Sequence, residues 1–274
     1  MTWRLLVDGA SRGSWNMAVD QALAESVDSG ASPPVLRLYR WDPACLSLGF
    51  AQPFAAADAE FCARKGVDVV RRPTGGRAVL HHLELTYAVL ASLDGRPFAA
   101  DLQAAYRRIC RALVAGLRLV GVPAGLAGTP QDGMIRPIEA IPCFVGPATG
   151  EVVAAGRKLV GSAMRRMGAT ILQHGSILES WDGPLQAGCL GLPDDSSLRP
   201  AVVTVHEIVG GSLPVGRLEQ AMAAGFATEF GIEADPSFLT AAEVARADEL
   251  VRERYAHPRW TIHRERGQQT EGVS

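Results

Sequence analysis

Glycines and arginines are concentrated at residues 69–82, VVRRPTGGRAVLHH, which makes this segment the first candidate for ligand binding. Glycines let a backbone approach a ligand closely, and guanidinium groups supply permanent positive charge. The segment lacks the GxxxxGK[ST] pattern of a P-loop. Strands are predicted on both of its sides, whereas a dinucleotide fingerprint lies between a strand and a helix. A simple glycine turn between two strands is an equally good interpretation of this composition.

A second glycine-bearing segment, GRKLVGSA at residues 156–163, contains Lys158, one of only two lysines in the chain. The segment approaches the Walker pattern but has Ser162 where that pattern requires lysine. Phosphate binding of the P-loop type is therefore not predicted. Lys158 remains a candidate because it is an isolated ammonium group among glycines.

The cysteines form no CxxC pair and are spread over the chain, at Cys45, Cys62, Cys110, Cys143 and Cys189. An odd number at these spacings predicts reduced thiols rather than a disulfide framework or a zinc site. Pro142 and the Gly146-Pro147 pair favour a loop around Cys143, whereas Cys110 falls on the apolar face of a predicted helix. Cys45, Cys62 and Cys110 are interpreted as structural.

Composition excludes several classes of protein. The 274 residues are 47% hydrophobic and 20% charged, which fits neither a disordered chain nor a membrane bundle. A net charge of −2, from 27 basic and 29 acidic residues, gives no field that would hold nucleic acid. No apolar run reaches the length of a signal peptide or a membrane span. We therefore expect a cytoplasmic protein with no nucleic-acid or membrane partner.

Hydrophobic periodicity predicts helices at both ends of the chain and one between them. The first begins at Ser14 or Asn16, either of which could cap it, and the second covers residues 101–120. Near the C-terminus a helix is predicted over residues 217–230, and a capping box at Thr240 predicts another.

Short strands are predicted between these helices, at residues 35–41, 45–50, 67–72, 78–82 and 85–92, with a hairpin and a third strand within 151–178. Strands and helices mix without strict alternation, which favours an α/β (α+β) fold with a mixed β-sheet flanked by helices. We expect one catalytic domain over residues 1–262, with a helical part at 212–262 packed on it. Residues 263–274 are predicted to form a polar tail.

Three segments taken together, RRPTGGRAVLHH (71–82), GRKLVGSA (156–163) and ILQHGSI (171–177), resemble the biotin/lipoate protein ligase and lipoyl/octanoyl transferase superfamily. The early NMAVDQAL and SLGF stretches are similar to its first helix and a neighbouring strand. The resemblance covers roughly residues 15–255, and the order of the blocks makes it specific. It implies a class II synthetase or biotin/lipoate ligase-like fold, a mixed sheet flanked by helices.

Within the superfamily, the chain looks like the LipM-type octanoyltransferases, in which a loop cysteine serves as the nucleophile. Cys143 lies fifteen positions before Lys158. The resemblance implies that Cys143 carries the acyl group and that Lys158 stabilises the thiolate or acts as a base. Cys189 is the alternative nucleophile, because a related transferase branch places its thiol after the His-Gly strand.

The resemblance also implies which residues bind the acyl group and its activated head: Arg71, Arg72, Thr74, Gly75, Gly76, Arg77, His81, Gly161, Ser162, His174 and Gly175. The two histidines are equally well interpreted as buried structural residues, and no spacing predicts a metal site. A thioester carries its own activation, so no cofactor is expected. ATP and magnesium would be needed only by the alternative, an ATP-dependent lipoate or octanoate ligase that forms an acyl-adenylate.

The function implied is octanoyl transfer in lipoate biosynthesis through a cysteine thioester. The expected donor is octanoyl-acyl carrier protein, and the expected acceptor is a lysine of the glycine cleavage H protein or of lipoyl domains of 2-oxoacid dehydrogenases. A monomer is expected. A non-catalytic paralogue that only binds lipoyl domains is a further alternative, suggested by His82 at a position where acidic residues are common in the family.

Overall fold

The computed structural model describes residues 1–94, 97–98, 101–128 and 150–265. Its strands are β1 (Thr2–Ser11), β2 (Val35–Trp41), β3 (Cys45–Leu48), β4 (Asp68–Arg71), β5 (Val79–His81), β6 (Glu84–Ser92), β7 (Gly125–Leu126), β8 (Val152–Ala154), β9 (Arg157–Lys158), β10 (Val160–Met167), β11 (Thr170–Leu178) and β12 (Glu233–Pro236). Its α-helices are α1 (Gly13–Asp28), α2 (Ala59–Arg64), α3 (Leu102–Leu119), α4 (Gly183–Cys189), α5 (Val205–Val209), α6 (Arg217–Phe230) and α7 (Ala241–Leu250). Short 3₁₀ turns occur at Phe54–Ala56 and Arg199–Ala201, and π turns at Val251–Tyr255 and Arg259–His263.

A six-stranded mixed sheet in the order β10-β11-β6-β2-β1-β12 forms the centre of the structure. The strands from β10 to β2 pair antiparallel, whereas β1 is parallel to both β2 and β12. The central strands β6 and β11 are buried along nearly their whole length. This continuous burial is expected where both faces of a sheet are covered. The mixed sheet flanked by helices confirms the predicted fold class.

Helices cover the two faces of this sheet and make two separate cores. On one face α3 and α6 pack together, and the apolar stripe of α3 that includes Cys110 is fully buried. These helices approach closely because a side chain is missing at their crossing: a Cβ on Gly225 would lie 2.4 Å from the Gly116 nitrogen. On the other face α1 packs with α7. None of the described helices combines the length and apolar composition needed to cross a membrane.

Two small sheets stand beside the main one. In the sheet β4-β3-β5, β3 is parallel to β4 and antiparallel to β5. Helices α2 and α4 pack on it around Leu46 and Leu48. The other small sheet joins β7, β8 and β9 in antiparallel pairs. Here the Gly150 amide donates to the Ala127 carbonyl at 2.9 Å, so the described chain ends at Gly128 and Gly150 are held near one another.

Most predicted elements are confirmed, but strands β1, β7 and β12 and the short helices α2, α4 and α5 were missed, and the cap of α1 was predicted wrongly. The parallel pairing of β12 with β1 places a strand inside the C-terminal part predicted as helical. The cap of α1 is also different: the helix begins at Gly13, after Arg12. Asn16 is fully buried inside the helix and donates to the carbonyls of Ser11 and Arg40.

Candidate active site

A cavity of about 210 Å³ opens where the main sheet meets the sheet β4-β3-β5 and the hairpin β8-β9. Nine of the predicted binding or catalytic residues line it, namely Arg72, Gly76, Arg77, His81, Lys158, Gly161, Ser162, His174 and Gly175. Three predicted binding residues, Arg71, Thr74 and Gly75, do not. The structure therefore brings together most of the predicted site residues from three separate sequence segments, 71–82, 156–163 and 171–177.

Lys158 lies on β9 at one wall of the cavity. Its Nζ donates to Glu151 Oε1 at 2.8 Å, and both side chains are only 13% exposed. The stem of Lys158 passes beside Gly161, where a Cβ would lie 3.7 Å from the lysine Cε. The lysine side chain therefore lies next to Gly161, a residue without a side chain. Glu151 was missed by the sequence analysis, and its only signal is a carboxylate placed across the short β8-β9 hairpin from the lysine.

Cys143, the predicted nucleophile, lies outside the described residues, and its placement beside Lys158 stays a prediction. Its rival Cys189 lies at the end of α4, fully buried in the core around Leu46 and Leu48, and does not line the cavity. The adjacent Cys62 thiol and burial raise the pKa of Cys189, which disfavours its thiolate. The structure gives no support to Cys189 as the nucleophile.

The two adjacent arginines of the glycine segment hold protein backbone. Arg71 is fully buried and donates to the carbonyls of Gly49, Gln52 and Thr261 at 2.8, 2.6 and 2.7 Å. Its predicted role in binding substrate does not fit this placement, because its guanidinium is directed into the protein rather than into the cavity. A sequence cannot show this, since an arginine that caps carbonyls and one that binds a ligand are the same residue type.

Arg72 does line the cavity, and it also shapes the loop that follows it. It donates to the carbonyls of Ser47, Gly75 and Arg77 at 2.8, 2.9 and 2.6 Å. Gly76 has a φ of +93°, in the region that favours glycine. The loop rests on Gly49, where a Cβ would lie 1.9 Å from the Gly76 oxygen. The glycine pair thus permits a tight loop.

A chain of buried hydrogen bonds ties this loop to the main sheet and to α1. Thr74 Oγ1 is 2.6 Å from His174 Nε2, and His174 Nδ1 is 3.0 Å from Asp20 Oδ2. Burial lowers the pKa of His174 despite the nearby carboxylate. The imidazole is therefore assigned as neutral, with Nδ1–H donating to Asp20 and Nε2 accepting from the Thr74 hydroxyl. His174 acts as a spacer between loop and helix.

Asp20 is the buried charge at the base of this chain. It accepts from Arg37 at 2.9 Å and from the Tyr39 hydroxyl at 2.9 Å, and it has no exposed surface. Burial acts to raise the pKa of Asp20, but the bond from His174 and the charge of Arg37 outweigh it, so the pKa is lowered. The carboxylate is ionised and fully paired. The sequence analysis missed Asp20, whose only signal was a charged residue in the apolar part of a predicted helix.

His81 forms another cavity wall and uses both ring nitrogens. Nε2 is 2.8 Å from Ser47 Oγ, Nδ1 is 2.8 Å from Glu84 Oε1, and the ring stacks on Trp41 with centroids 4.0 Å apart. These three contacts fix the orientation of the His81 ring. Among the described residues, no group of three or more histidine, cysteine, aspartate or glutamate side chains could hold a metal ion.

Gly175 is required by the packing of an aromatic ring. A Cβ at this position would lie 2.7 Å from Tyr87 Cε1 and 2.4 Å from the Gly161 oxygen. Because that space is open, the Tyr87 hydroxyl reaches Ser162 Oγ at 2.7 Å and accepts from Gln173 at 2.9 Å. The glycine thus lets one tyrosine cross-link β6, β10 and β11 under the cavity.

Comparisons with known proteins agree with this geometry. Residues 12–227 match the family described as the lipoyl protein ligase A/B catalytic domain. Octanoyltransferase LipM of Kyrpidia tusciae is 39% identical, with 96% of this chain and 99% of the relative covered. The proteins of that name from Brevibacillus brevis and Staphylococcus aureus are 37% and 33% identical, with the same coverage of both chains.

Two solved structures share the fold over nearly the whole chain. Lipoate-protein ligase A bound with ATP superposes with a TM-score of 0.79 at 26% identity, covering 96% of this chain and 99% of its own. A bipartite lipoate protein ligase from Thermoplasma acidophilum, described with its E2 lipoyl domain, has a TM-score of 0.79 at 25% identity and covers 98% and 100%. These likenesses confirm the ligase-like fold and the superfamily resemblance found in the sequence.

Proposed function

The chain belongs to the lipoyl protein ligase A/B catalytic-domain family, and on that premise we propose that it is an octanoyltransferase of lipoate biosynthesis. The observation that carries this function is the likeness to proteins named Octanoyltransferase LipM, at 32–39% identity over nearly their whole length. A cavity with a lysine on its wall agrees with acyl transfer, because a cation stabilises the negative charge that develops on a carbonyl oxygen.

The first half-reaction transfers the octanoyl group from the thioester of acyl carrier protein to Cys143. The thiolate attacks the carbonyl carbon, a new C–S bond forms, and the π electron pair moves to oxygen. When the pair returns, the original C–S bond breaks, and the carrier's thiolate leaves and takes up a proton. Lys158 stabilises the attacking thiolate and the oxyanion, and Glu151 holds the ammonium in position.

The second half-reaction moves the octanoyl group to a lysine of a lipoyl domain or of the glycine cleavage H protein. The neutral amine attacks the thioester carbon and the C–S bond to Cys143 breaks. The nitrogen becomes an amide, and the proton that it loses is taken up by the departing Cys143 thiolate. The likeness to a ligase described with its E2 lipoyl domain supports a lipoyl domain as the acceptor class. No nucleotide is needed, because the thioester provides the activation.

Chain length allows Cys143 to work at this cavity. It lies seven positions before Gly150, and an extended chain of that length spans at most about 25 Å. Gly150 is held by its bond to Ala127, and the next residue, Glu151, lines the cavity. The proposed nucleophile is therefore tethered to the wall that carries Lys158.

Ligation through an acyl-adenylate is the second candidate, favoured by the likeness to a ligase bound with ATP. The two reactions differ in what they require. Adenylation consumes ATP and needs no thiol, whereas transfer needs a thioester donor and the Cys143 thiol. One experiment with two arms separates them.

The test is intact-mass spectrometry of the purified full-length protein. One arm contains octanoyl-acyl carrier protein without ATP, and the other contains free octanoate with ATP and magnesium. We expect an octanoyl adduct only in the first arm, and peptide mapping should place it on Cys143. Cys143→Ala should lose the adduct, whereas Cys189→Ala, a matched change of a buried thiol, should keep it. Octanoylation of a lipoyl domain by Cys143→Ala would contradict the proposal.

A further inference from the structure

The hydroxyl of Ser176 stands out among the polar groups of the cavity because it has no hydrogen-bond partner within the described part of the chain. Ser176 lies on β11, lines the cavity and is only 3% exposed. Other buried side-chain atoms without a partner belong to residues outside the cavity lining: Trp3, Glu84, Thr170, Gln173 and Gln186. Buried hydroxyls are normally paired, so an unpaired one in a cavity wall points to a ligand.

Strand register places Ser176 beside Lys158. Ser176 pairs with Gly161 on β10 and with Thr86 on β6. Directly opposed residues of antiparallel strands share a face, with Cβ positions roughly 4.5–5.5 Å apart. The space above Gly161 therefore has the Ser176 hydroxyl on one side and the Lys158 stem on the other, since a Cβ on Gly161 would lie 3.7 Å from the lysine Cε.

The polar neighbours of Ser176 form hydrogen bonds with other groups, which explains why its hydroxyl has no partner among the described residues. Thr86 Oγ1 accepts from Trp41 Nε1 at 2.7 Å and donates to Glu84. On the next strand of the same row, the Tyr39 hydroxyl donates to Asp20 at 2.9 Å. A group bound over Gly161 would supply an acceptor on the cavity side of Ser176.

We propose that the Ser176 hydroxyl donates a hydrogen bond to the carbonyl oxygen of the acyl group, opposite the Lys158 ammonium. The inference rests on the proposed acyl transfer and adds a catalytic residue to it. Rotation about χ1, which moves a serine hydroxyl between staggered positions, turns the covered oxygen toward the bound carbonyl. When a nucleophile attacks, the π pair moves to that oxygen and the hydrogen bond strengthens. When the leaving thiolate departs, the pair returns, and Ser176 keeps its proton throughout.

The decisive comparison is between Ser176→Ala and a matched variant in the same strand. Thr170, also on β11, has a buried hydroxyl with no partner in the described ranges, but it does not line the cavity, so Thr170→Val removes an equivalent group away from the site. We expect Ser176→Ala to slow single-turnover octanoylation of a lipoyl domain on the order of 10²-fold. Thr170→Val should stay within about twofold of the parent rate, and Ser176→Thr, which keeps a hydroxyl, should recover most of the lost rate.

A substrate analogue without a carbonyl separates a catalytic role from a structural one. An S-octyl thioether of acyl carrier protein presents the same chain without the oxygen, so its affinity should be equal for the parent and for Ser176→Ala. The inference is overturned if Ser176→Ala transfers at the parent rate, or if it loses affinity for the thioether in proportion to rate. Absence of transfer by the parent protein would instead overturn the proposed function, and the two failures are therefore distinguishable.

Discussion

Two walls of the same cavity differ in how their polar groups are used. On the glycine-loop wall, the Arg72 guanidinium binds carbonyls and the Thr74 hydroxyl, just behind the lining, pairs with His174. On the wall formed by β9, β10 and β11, Lys158 pairs with Glu151 beside Gly161, which has no side chain, and the Ser176 hydroxyl has no partner among the described residues. We infer that the first wall is framework and the second carries the chemistry.

The motif most visible in the sequence supplies mainly loop geometry, held by Asp20 through His174 and Thr74. The reactive wall is built from a short hairpin and a histidine-glycine-serine strand that are much less conspicuous. Changes to the two walls should therefore separate stability from activity.

Asp20→Ala gives the largest effect expected on the framework. It leaves the buried guanidinium of Arg37 without its fully buried carboxylate, which costs about 3–5 kcal/mol of unfolding free energy. Asp8→Ala is the matched control, because Asp8 also pairs with Arg37, at 2.6 Å, but its side chain is 28% exposed. Urea denaturation should show a much smaller loss for Asp8→Ala. Equal losses would mean that the burial of Asp20 is not the cause.

Lys158→Ala tests the reactive wall. Loss of the cation whose stem lies beside Gly161 should lower the octanoylation rate by roughly 10²–10³-fold, because the oxyanion loses its charged stabiliser. The melting temperature should change little, since both partners of the ion pair with Glu151 keep some exposure to solvent at the cavity wall. Lys65→Ala, at the exposed end of α2, removes the other lysine and should leave the rate unchanged. If Lys158→Ala lost rate and also had a much lower melting temperature, the two walls could not be distinguished as framework and reactive.

Thr74→Val removes one hydrogen bond from the glycine-loop wall. The change keeps the shape of the side chain but leaves His174 Nε2 buried without a donor, at a cost of about 1–3 kcal/mol. Thr74→Ser should restore most of that stability because the hydroxyl returns. Chemical denaturation of the three proteins measures this difference. If the valine variant is as stable as the parent, the loop is not held through His174.

The pH dependence of stability gives the smallest effect. Since the folded-state pKa of His174 lies below 6.5, the unfolded chain binds a proton that the folded chain rejects as pH falls below that value. This difference in proton binding has no effect on stability above pH 6.5. Below pH 6.5 it lowers the free energy of unfolding, by at most about 1.4 kcal/mol per pH unit. His174→Gln should flatten the slope between pH 6.5 and 5, whereas His257→Gln, at an exposed site, should not. Parallel slopes in parent and His174→Gln would contradict the assignment of a neutral imidazole.

Local patterns predicted the four longest helices, α1, α3, α6 and α7, because their determinants are close in sequence, but missed the short helices α2, α4 and α5. The α6 bounds, Arg217–Phe230, agree with the predicted range, and the capping box between Thr240 and Glu243 forms as expected. Strand β12 was missed because Glu233–Pro236 is short and polar. It exists only because the edge of β1 offers it parallel partners. An edge strand tolerates proline, so propensity alone could not find it.

Sequence patterns were enough to predict the family, the mixed fold and nine of the residues that line the cavity, because blocks of glycine, arginine, lysine and histidine carry that information in their order. Which of the predicted residues face into the protein and which face the cavity is set by the folding of the chain. Arg71 caps carbonyls from distant segments, Cys189 is in a core, and Ser176 opposes Gly161 across a strand pair. Such assignments depend on which groups compete for each hydrogen bond, and those competitors meet only when the chain is folded.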